Sequence, residues 1–288
     1  MNKNHSQHNP FLIDGPALIS FSGGRTSGFM LKQVLDAHDG ALPENVRAVF
    51  ANTGKEMPET LDFVQECSEQ WNVPVVWLEY RAGSPDTFEI VSHNSASRNG
   101  EPYKSLIDKR GFLPNPVARF CTQELKIRTM QRYAWSMGWN DWINVVGLRA
   151  DEPRRVANMR ARDKTNRDGW AVALPLDDAG VTVADISKFW SEQLFDLRLP
   201  NINGSTPLGN CDLCFLKGAA TIAGIIRERP ELAKWWIKAE AEARASKPSG
   251  ARFRSDRPGY ARMLELSQLQ GDLFPGADNA TQPCMCHD

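Results

Sequence analysis

Residues 16–31 have the sequence PALISFSGGRTSGFML, and this stretch decides the fold. Its first six residues form a short apolar run, which is typical of a buried strand. Gly23 and Gly24 follow at once, and two adjacent glycines predict a tight loop. Apolar residues then recur at helical spacing as far as Leu35, which predicts a helix over residues 27–38. The stretch is therefore a strand, a glycine loop and a helix in immediate succession.

The alternation of strand and helix continues along the chain. Four further apolar runs predict strands at residues 46–51, 75–79, 141–146 and 171–176. Helical spacing predicts helices at residues 58–71, 121–137 and 182–194. Strands that alternate with helices form parallel sheets with crossover helices. We therefore expect an α/β fold with a doubly wound, mostly parallel five-stranded sheet flanked by helices.

Composition divides the chain into a leader, a main domain and a C-terminal region. Residues 1–15 begin with a polar stretch and are expected to be a disordered leader, and residues 16–200 hold the strand and helix pattern. Within them, residues 81–117 are rich in Ser, Asn, Pro and Gly, which predicts an insertion. Residues 154–168 are expected to form a basic loop. Residues 201–288 carry four of the six cysteines and three helical patterns, at 219–229, 231–245 and 260–270.

The overall composition excludes several classes of protein. The 288 residues carry a formal net charge of −1, so no global field attracts nucleic acid or a membrane surface. No apolar run is long enough to span a bilayer, and the N-terminus lacks a secretion signal. We therefore expect a cytoplasmic protein with no membrane partner. In a reducing compartment its six cysteines are thiols or metal ligands rather than disulfides.

The glycine loop has the composition of an anion site. Glycines let backbone amides approach a phosphate, and a helix N-terminus adds partial positive charge. The loop also offers hydroxyl donors and one cation, from Ser22, Gly23, Gly24, Arg25, Thr26 and Ser27. In open α/β sheets, phosphates bind at the loop after the first strand. The alternative is an ordinary strand–helix turn in which Ser27 caps the helix.

Five segments, in order, resemble the phosphoadenosine phosphosulfate (PAPS) reductase family of the PP-loop adenine nucleotide α-hydrolase superfamily. The segments are SFSGGRTSGFML at 20–31, FANTG at 50–54 followed by Glu56 and PET at 58–60, RFC at 119–121 followed by LK at 125–126, GLRADE at 147–152 followed by Arg154 and Arg155, and LPL at 174–176. The resemblance covers residues 16–218. It implies a Rossmann-like fold with a PP-loop adenine-nucleotide-binding domain at 16–200 and a cysteine-bearing, helical C-terminal extension.

The resemblance implies roles for residues at matching positions. Residues 22–27 should hold the phosphates of an adenine nucleotide, which is PAPS, adenosine phosphosulfate (APS) or ATP. Asn52, Thr53 and Gly54 should lie beside the nucleotide at the end of the second strand. Lys126 and Arg149 should meet the phosphate or sulfate anions and act in catalysis. Cations at strand ends that face a helix N-terminus would form an anion pocket.

Cys211 and Cys214 form a C-x-x-C pair that can hold one metal or one edge of an iron–sulfur cluster. In the cluster-bearing branch of the family, a tandem cysteine pair and a later C-x-x-C hold a [4Fe–4S] cluster. Cys121 matches one member of the tandem pair, and Phe120 occupies the other position. The fourth ligand is Cys284 or Cys286, or is absent, and we assign Cys286 to the metal. Structural zinc is the alternative occupant.

The C-terminal cysteines also suggest a nucleophile. Members of the family carry a catalytic cysteine in a C-terminal Cys-x-x-His segment, and Cys284 with His287 has that spacing. A thiolate on a mobile tail could attack the sulfur of a bound sulfonucleotide. We therefore assign Cys284 to catalysis. The alternative is a tail that binds metal or has no chemical role.

Two enzymatic functions and one binding function follow. The first is reduction of APS or PAPS to sulfite, with a thioredoxin-like dithiol as reductant. The second is an ATP- and Mg²⁺-dependent iron–sulfur sulfurtransferase that thiolates a nucleic acid or a small molecule. Thr26 stands where ATP-splitting relatives carry an aspartate. The third is a nucleotide or metal sensor without turnover. In each case we expect a weakly held homo-oligomer.

Overall fold

The computed structural model of the chain describes residues 9–165, 169–246 and 251–269. Its first half alternates strands with helices: β1 (Ala17–Ser20), α1 (Arg25–Ala37), β2 (Val46–Asn52), α2 (Pro58–Gln70), β3 (Val75–Tyr80), β4 (Phe88–Val91) and α3 (Glu101–Arg110). The positions of β1, β2 and β3 agree with the expected strands to within two residues. The local pattern of apolar residues therefore suffices to place the first three strands.

The second half begins with a π-helical turn (Thr122–Ile127) that runs into α4 (Arg128–Ser136). Then come β5 (Ile143–Val145), α5 (Pro153–Lys164), β6 (Ala171–Ala173), α6 (Pro175–Asp178) and α7 (Val183–Ser191). The C-terminal region contains α8 (Ala219–Glu228), a 3₁₀ turn (Pro230–Leu232), α9 (Ala233–Ser246) and α10 (Tyr260–Leu269).

The strands form one sheet in the order β4-β3-β2-β1-β5-β6. All neighbouring strands are parallel except β3 and β4, which pair antiparallel. The chain moves from β1 outward to β3 and then returns to the other side of β1 with β5. A crevice opens at such a reversal, beyond the carboxyl ends of the strands, and this is where open α/β sheets bind ligands. The sheet topology therefore places the site between β1 and β5.

Helices cover both faces of the sheet. Ala17 and Ile19 of β1 pack into the larger apolar core, whereas Leu18 packs on the opposite face with Tyr133 of α4. Successive side chains of a strand point to opposite faces, so a strand buried on both faces is apolar at every position. This explains the uninterrupted apolar run of β1. The doubly wound α/β prediction is confirmed.

Within the described residues the sheet has six strands, so the prediction of five was wrong. The additional strand, β4, lies within residues 81–117, the segment expected to be an insertion, and it pairs Phe88 with Tyr80 and Ile90 with Leu78. The same segment also forms α3. A four-residue strand within a polar stretch gives little sequence signal, and its position depends on the exposed edge of β3.

Two other predictions need correction. Residues 153–164 form a helix, α5, where a basic loop was expected over 154–168; residues 166–168 lie outside the described residues. Proline in the first turn followed by good helix formers explains the helix. Residues 9–15 of the expected disordered leader are part of the fold, because Ile13 packs into the core and its amide donates to His38 Nε2 at 3.0 Å; residues 1–8 lie outside the described residues.

The C-terminal helices pack around aromatic side chains. Trp236 of α9 is fully buried, with its ring 5.2 Å from that of Tyr260 and 4.9 Å from that of Phe253. These residues belong to the same apolar core as the strand residue Ile19. No helix in the described part of the chain is both long and apolar enough to cross a membrane.

Gly23 is the position in the first loop where only glycine fits. Its φ is +80°, and a Cβ atom there would lie 2.6 Å from Thr60 Cγ2 of α2. We expect Gly23→Ala to lower the free energy of unfolding by about 2–4 kcal/mol, the sum of left-handed strain and overpacking. Gly15→Ala is the matched control, because Gly15 has φ of +90° but no atom within 4 Å of the added Cβ. Equal losses of unfolding free energy for the two variants, measured by urea denaturation, would show that the close contact between Gly23 and α2 does not contribute.

Candidate functional site

The loop after β1, residues 22–27, is called the anion loop. Gly24 is the N-cap of α1, so the helix begins at Arg25 and Ser27 lies inside its first turn. Ser27 Oγ accepts from the Ser22 amide at 3.2 Å and donates to the Gly24 carbonyl at 3.0 Å. The first amides of a helix have no intrahelical acceptor, and Gly24, Arg25 and Thr26 at the start of α1 line a cavity. The turn therefore has the form of an anion site, and Ser27 is not the cap.

The anion loop borders a cavity of about 350 Å³, a volume in the range of small-molecule sites. Ser22, Gly23, Gly24, Arg25 and Thr26 line one side. The other side is formed by α7, by the segment that precedes the C-x-x-C pair, and by Cys214 and Lys217. The cavity therefore joins the predicted phosphate site to a predicted metal ligand.

Cationic side chains surround the cavity. Arg149, which follows β5, donates from Nη1 to Thr26 Oγ1 at 3.1 Å, so it lies directly beside the anion loop. Arg155 and Lys217 also line the cavity, and Arg155 is paired with Glu152. Glu152 is the one acidic side chain among the described lining residues. The positive charge and the amides of α1 favour a polyanionic ligand.

Arg25 differs from the role expected for it. Its Nε donates to Asp196 Oδ1 at 2.7 Å, and Nη1 donates to Thr206 Oγ1 at 3.2 Å. Its Nη2 donates to Asp196 and to the carbonyls of Leu197 and Leu199. The guanidinium is thus bonded to the segment around Asp196, and its contact with a phosphate stays a prediction. The carboxylate that it binds is far away in sequence.

The Asn52–Thr53–Gly54 segment lies at the carboxyl end of β2, but none of its residues is among the described residues that line the cavity. Asn52 is fully buried and donates to Glu79 Oε1 at 2.6 Å. Thr53 donates from Oγ1 to Glu56 Oε2 at 2.8 Å and lies 3.4 Å from Cys211 Sγ. This segment therefore contacts the cysteines in the structure, and contact with a nucleotide stays a prediction.

Cys121, Cys211 and Cys214 are buried and converge on Tyr103, a residue of α3. Burial, followed by the charges of the three cysteines, raises the pKa of Tyr103, and its hydroxyl shares a hydrogen bond with Cys121. None of the four cysteines within the described ranges is in a disulfide. Three thiols separated by up to 93 positions (214 − 121) therefore face one tyrosine.

Lys126 lies beside this thiol group rather than in the cavity. Its Nζ is 3.5 Å from Glu56 Oε1, and both side chains are buried. Glu56 Oε1 has no hydrogen bond within the part of the chain that the structure describes. Burial raises the pKa of Cys211, with Glu56 and Cys214 acting in the same direction and Lys126 opposing them. Lys126 thus lies beside Glu56 and Cys211 in the structure, and its contact with the phosphate or sulfate anions stays a prediction.

A buried ion pair fixes the C-x-x-C loop. Lys55 Nζ lies 2.8 Å from Asp212 Oδ2, and the two side chains are 8% and 4% exposed. Trp236 Nε1 donates to Asp212 Oδ1 at 2.8 Å, and Lys217 Nζ donates to the carbonyls of Cys211 and Asp212, both at 2.8 Å. The loop that carries the two cysteines is therefore bonded to the end of β2 and to α9.

Thiolates are donors for both an iron–sulfur cluster and a zinc ion, so Cys121, Cys211 and Cys214 fit either occupant in chemical type. No group of three or more His, Cys, Asp or Glu side chains among the described residues is arranged to hold a metal ion. Thiolates on one zinc lie within roughly 4 Å of each other, because a Zn–S bond is about 2.3 Å long. In a [4Fe–4S] cluster the thiolates bind different irons and are farther apart. Cys284 and Cys286 lie outside the described residues.

Sequence reasoning missed the residues that support the site. Tyr103 lies in the insertion, and Lys55 follows β2. Asp212 lies between the two cysteines, and Lys217 follows Cys214 by three positions. The position of Asp212 inside C-x-x-C was a signal that could have identified it. Tyr103 had no comparable signal, because its position depends on the packing of α3.

We expect Asp212→Ala to lower the free energy of unfolding by about 3–5 kcal/mol, because it leaves the buried Lys55 without its partner. The matched control is Asp36→Ala, whose partner Lys32 is on the surface of α1, and there the loss should be about 0–1 kcal/mol. Replacing both buried charges, as in Lys55→Met with Asp212→Leu, should restore part of the stability. Thermal denaturation measures the stability of all three variants. A small loss of stability in Asp212→Ala would contradict the assignment of Lys55 and Asp212 as a stabilising buried ion pair.

Sequence comparison finds two relatives, both uncharacterized. A nin region protein of Escherichia phage lambda is 29% identical over 212 residues, which are 71% of this chain and 67% of that protein. A protein of Methanocaldococcus jannaschii is 24% identical over 165 residues, which are 57% of this chain. The aligned region is 29% of the archaeal protein's length.

Two of the solved structures that the chain resembles show a distant likeness, with TM-scores below 0.5. Phosphoadenylyl-sulfate reductase from Candida auris, in a phosphate complex, has a TM-score of 0.40 at 13% identity and covers 67% of this chain and 84% of its own. The U34-tRNA thiolase NcsA from Methanococcus maripaludis, with its [4Fe–4S] cluster, has a TM-score of 0.42 at 15% identity. The match covers 94% of this chain and 79% of the thiolase chain. Both likenesses are too distant to decide a function.

Residues 16–178 match the family described as the phosphoadenosine phosphosulfate reductase domain. The match includes the anion loop, the segment after β2, Cys121 and Arg149, and it covers more than half of the chain. This protein therefore belongs to the phosphoadenosine phosphosulfate reductase domain family.

Proposed function

We propose that this protein is a sulfonucleotide reductase, which binds APS or PAPS in the cavity and releases sulfite. The observation that carries the proposal is the cavity itself, which has the anion loop on one side and Cys214 on the other. A sulfonucleotide has a phosphate that can bind at the anion loop and a sulfo group that can extend toward Cys214.

The cations give the cavity a preference for anionic ligands. Arg149, Arg155 and Lys217 line it, and they can balance the charge that develops on the phosphate as the sulfo group leaves. With Glu152 as its one described acidic lining residue, already paired with Arg155, the cavity offers little to a magnesium ion. A ligand that needs no metal to bind fits this environment better than a triphosphate.

The proposed chemistry consists of two thiol displacements. The thiolate of Cys284 attacks the sulfur of the sulfo group, the S–O bond to the phosphate breaks, and the electron pair leaves on the nucleotide. A thiolate of a thioredoxin-like dithiol then attacks Cys284 Sγ, and sulfite departs with the electrons of the broken S–S bond. The second thiol of the dithiol resolves the mixed disulfide, so the dithiol is oxidised and the sulfur is reduced.

Cys121, Cys211 and Cys214 would hold an iron–sulfur cluster, with Cys286 as the proposed fourth ligand. When bound, such a cluster supplies a redox-active group next to the cavity. This chain's own residues contribute to that position: the Tyr103 hydroxyl shares a hydrogen bond with Cys121, and Lys126 lies 3.5 Å from the carboxylate of Glu56.

An ATP-dependent sulfurtransferase is the second candidate. It is favoured by one observation, that Cys214 lines the cavity while both glycines of the anion loop are kept, so that a longer phosphate chain could bind. ATP would activate the acceptor, a nucleic acid or a small molecule, by adenylylation with release of pyrophosphate. Product analysis separates this reaction from sulfite release.

We expect Arg149→Ala to weaken binding of APS or PAPS by roughly ten- to a hundredfold, since a hydrogen bond to a charged group contributes about 1.5–3 kcal/mol. Isothermal titration calorimetry measures the affinity. Arg160→Ala is the control, because Arg160 is bonded to Asp177 at 2.5 Å and to Asp178 at 2.6 Å and does not line the cavity. Equal affinities for the two variants would remove Arg149 from the site.

Anaerobically purified protein should release sulfite from APS or PAPS when a thioredoxin-like dithiol is supplied. Cys284→Ser should abolish sulfite release while leaving nucleotide affinity unchanged, and without reductant the unmodified protein should carry a sulfo adduct on Cys284 that is visible by mass spectrometry. Cys67→Ala is the control and should retain turnover, because burial raises the pKa of the Cys67 thiol and keeps it unreactive.

Pyrophosphate release from ATP, with no sulfite from either sulfonucleotide, would exclude the proposed reductase function. Full turnover by Cys284→Ser would instead leave the reaction class in place and exclude Cys284 as the nucleophile. Nucleotide binding without any turnover would favour a sensor.

A further inference from the structure

Arg25 belongs to the anion loop by sequence, yet its side chain is bonded to a distant segment. Its guanidinium is 10% exposed, and Asp196 receives Nε at 2.7 Å and Nη2 at 2.8 Å in a forked arrangement. The remaining donors reach the carbonyls of Leu197 and Leu199 and the hydroxyl of Thr206. These acceptors all lie within eleven consecutive positions, 196 to 206.

That segment forms the outer wall of the cavity. We call residues 196–210 the cover segment, and Leu197, Asn201, Ser205 and Thr206 are among its residues that line the cavity. The segment contains little regular structure, with one isolated bridge between Ile202 and Ser205. It leads directly into Cys211. Its position therefore decides both the width of the cavity and the distance from the anion loop to the cysteines.

The backbone of Arg25 is fixed from the other side. Trp190 Nε1 of α7 donates to the Arg25 carbonyl at 2.8 Å, and Trp190 is buried. The amide of Arg25 is the first of α1, next to Gly24. One residue thus joins the anion loop, α7 and the cover segment. A displacement of the cover segment would be transmitted to the first turn of α1.

We propose that Arg25 is a positioning residue, which holds the cover segment over the cavity and does not itself neutralise the nucleotide phosphates. A planar guanidinium can bind a carboxylate with two donors and still reach neighbouring carbonyls, whereas a lysine ammonium provides only a point charge. The expected effect on nucleotide binding rests on the proposed function. The expected effect on the order of the cover segment does not depend on any ligand.

The two roles of Arg25 predict opposite responses to substitution. If Arg25 positions the cover segment, Arg25→Lys and Asp196→Asn should each weaken APS or PAPS binding by about tenfold, the scale of a lost charge-assisted hydrogen bond. The double variant should be no weaker than either single variant, because both remove the same contact. If Arg25 neutralised phosphate, Arg25→Lys would keep most of the affinity, and Asp196→Asn would raise it by releasing the cation.

Hydrogen exchange of the full chain without nucleotide provides the second measurement. Amides of residues 196–210 should exchange several-fold faster in Arg25→Lys and in Asp196→Asn, while amides of β1 and β2 should be unchanged, which shows that both variants are folded. Unchanged exchange in the cover segment would overturn the proposal, whatever the binding data show. Faster exchange in a protein that binds no nucleotide would support it and would count against the proposed function alone.

Glu66→Gln is the matched control. Glu66 of α2 pairs with Arg198, also in the cover segment, at 3.0 Å, but this ion pair is partly exposed and does not line the cavity. It should leave nucleotide affinity and exchange of residues 196–210 within about twofold of the unmodified protein, as expected for a surface ion pair. An effect as large as that of Asp196→Asn would show that any loss of charge in this region loosens the cover segment, and would overturn the specific role of Arg25.

Discussion

The pairing of β1 with β2 on one side and with β5 on the other is the constraint on which the rest of the structure depends. Because both partners run parallel to β1, the loops after Ser20 and Val145 leave the sheet at the same edge. The anion loop and Arg149 therefore meet, although they are more than a hundred positions apart. The strand is buried on both faces, so its register cannot shift without exposing apolar side chains. A fixed register keeps the N-terminus of α1 in one orientation, and the proposed anion site depends on this orientation.

The cysteines depend on a second, smaller constraint, the buried pair of Lys55 and Asp212. A charged pair in an apolar environment costs desolvation and is retained only where its geometry is good and its other hydrogen bonds are made. Here Trp236 and the Leu213 amide satisfy the remaining carboxylate positions. The pair bonds the C-x-x-C loop to the end of β2, which is anchored in the sheet. The sheet thus orients the thiols as well as the anion loop, and Cys214 lines the same cavity as that loop.

Arg25 and Lys126 show how a correct motif can mislead about the role of a single side chain. Both are cations in segments that match the family, and phosphate is the obvious partner for a cation near a glycine loop. In the structure Arg25 is paired with Asp196 and Lys126 with Glu56. An arginine or lysine binds the best-placed carboxylate available, and the carboxylates that compete with a ligand come from other parts of the chain. Motif spacing therefore identified the neighbourhood of these side chains, but not their partners.

The sequence by itself determined the α/β fold, the strand–loop–helix at residues 16–31 and the chemical types at the site, because apolar periodicity and glycine placement are local properties. Only the tertiary structure decided that residues 81–117 add a strand and a helix, that residues 153–164 form a helix, and that three cysteines face Tyr103. Those features depend on contacts between residues far apart in sequence, where the exposed edge of β3 and the packing of α3 outweigh weak local preferences. A pattern of residue types cannot encode a distance between segments that only the packed core brings together.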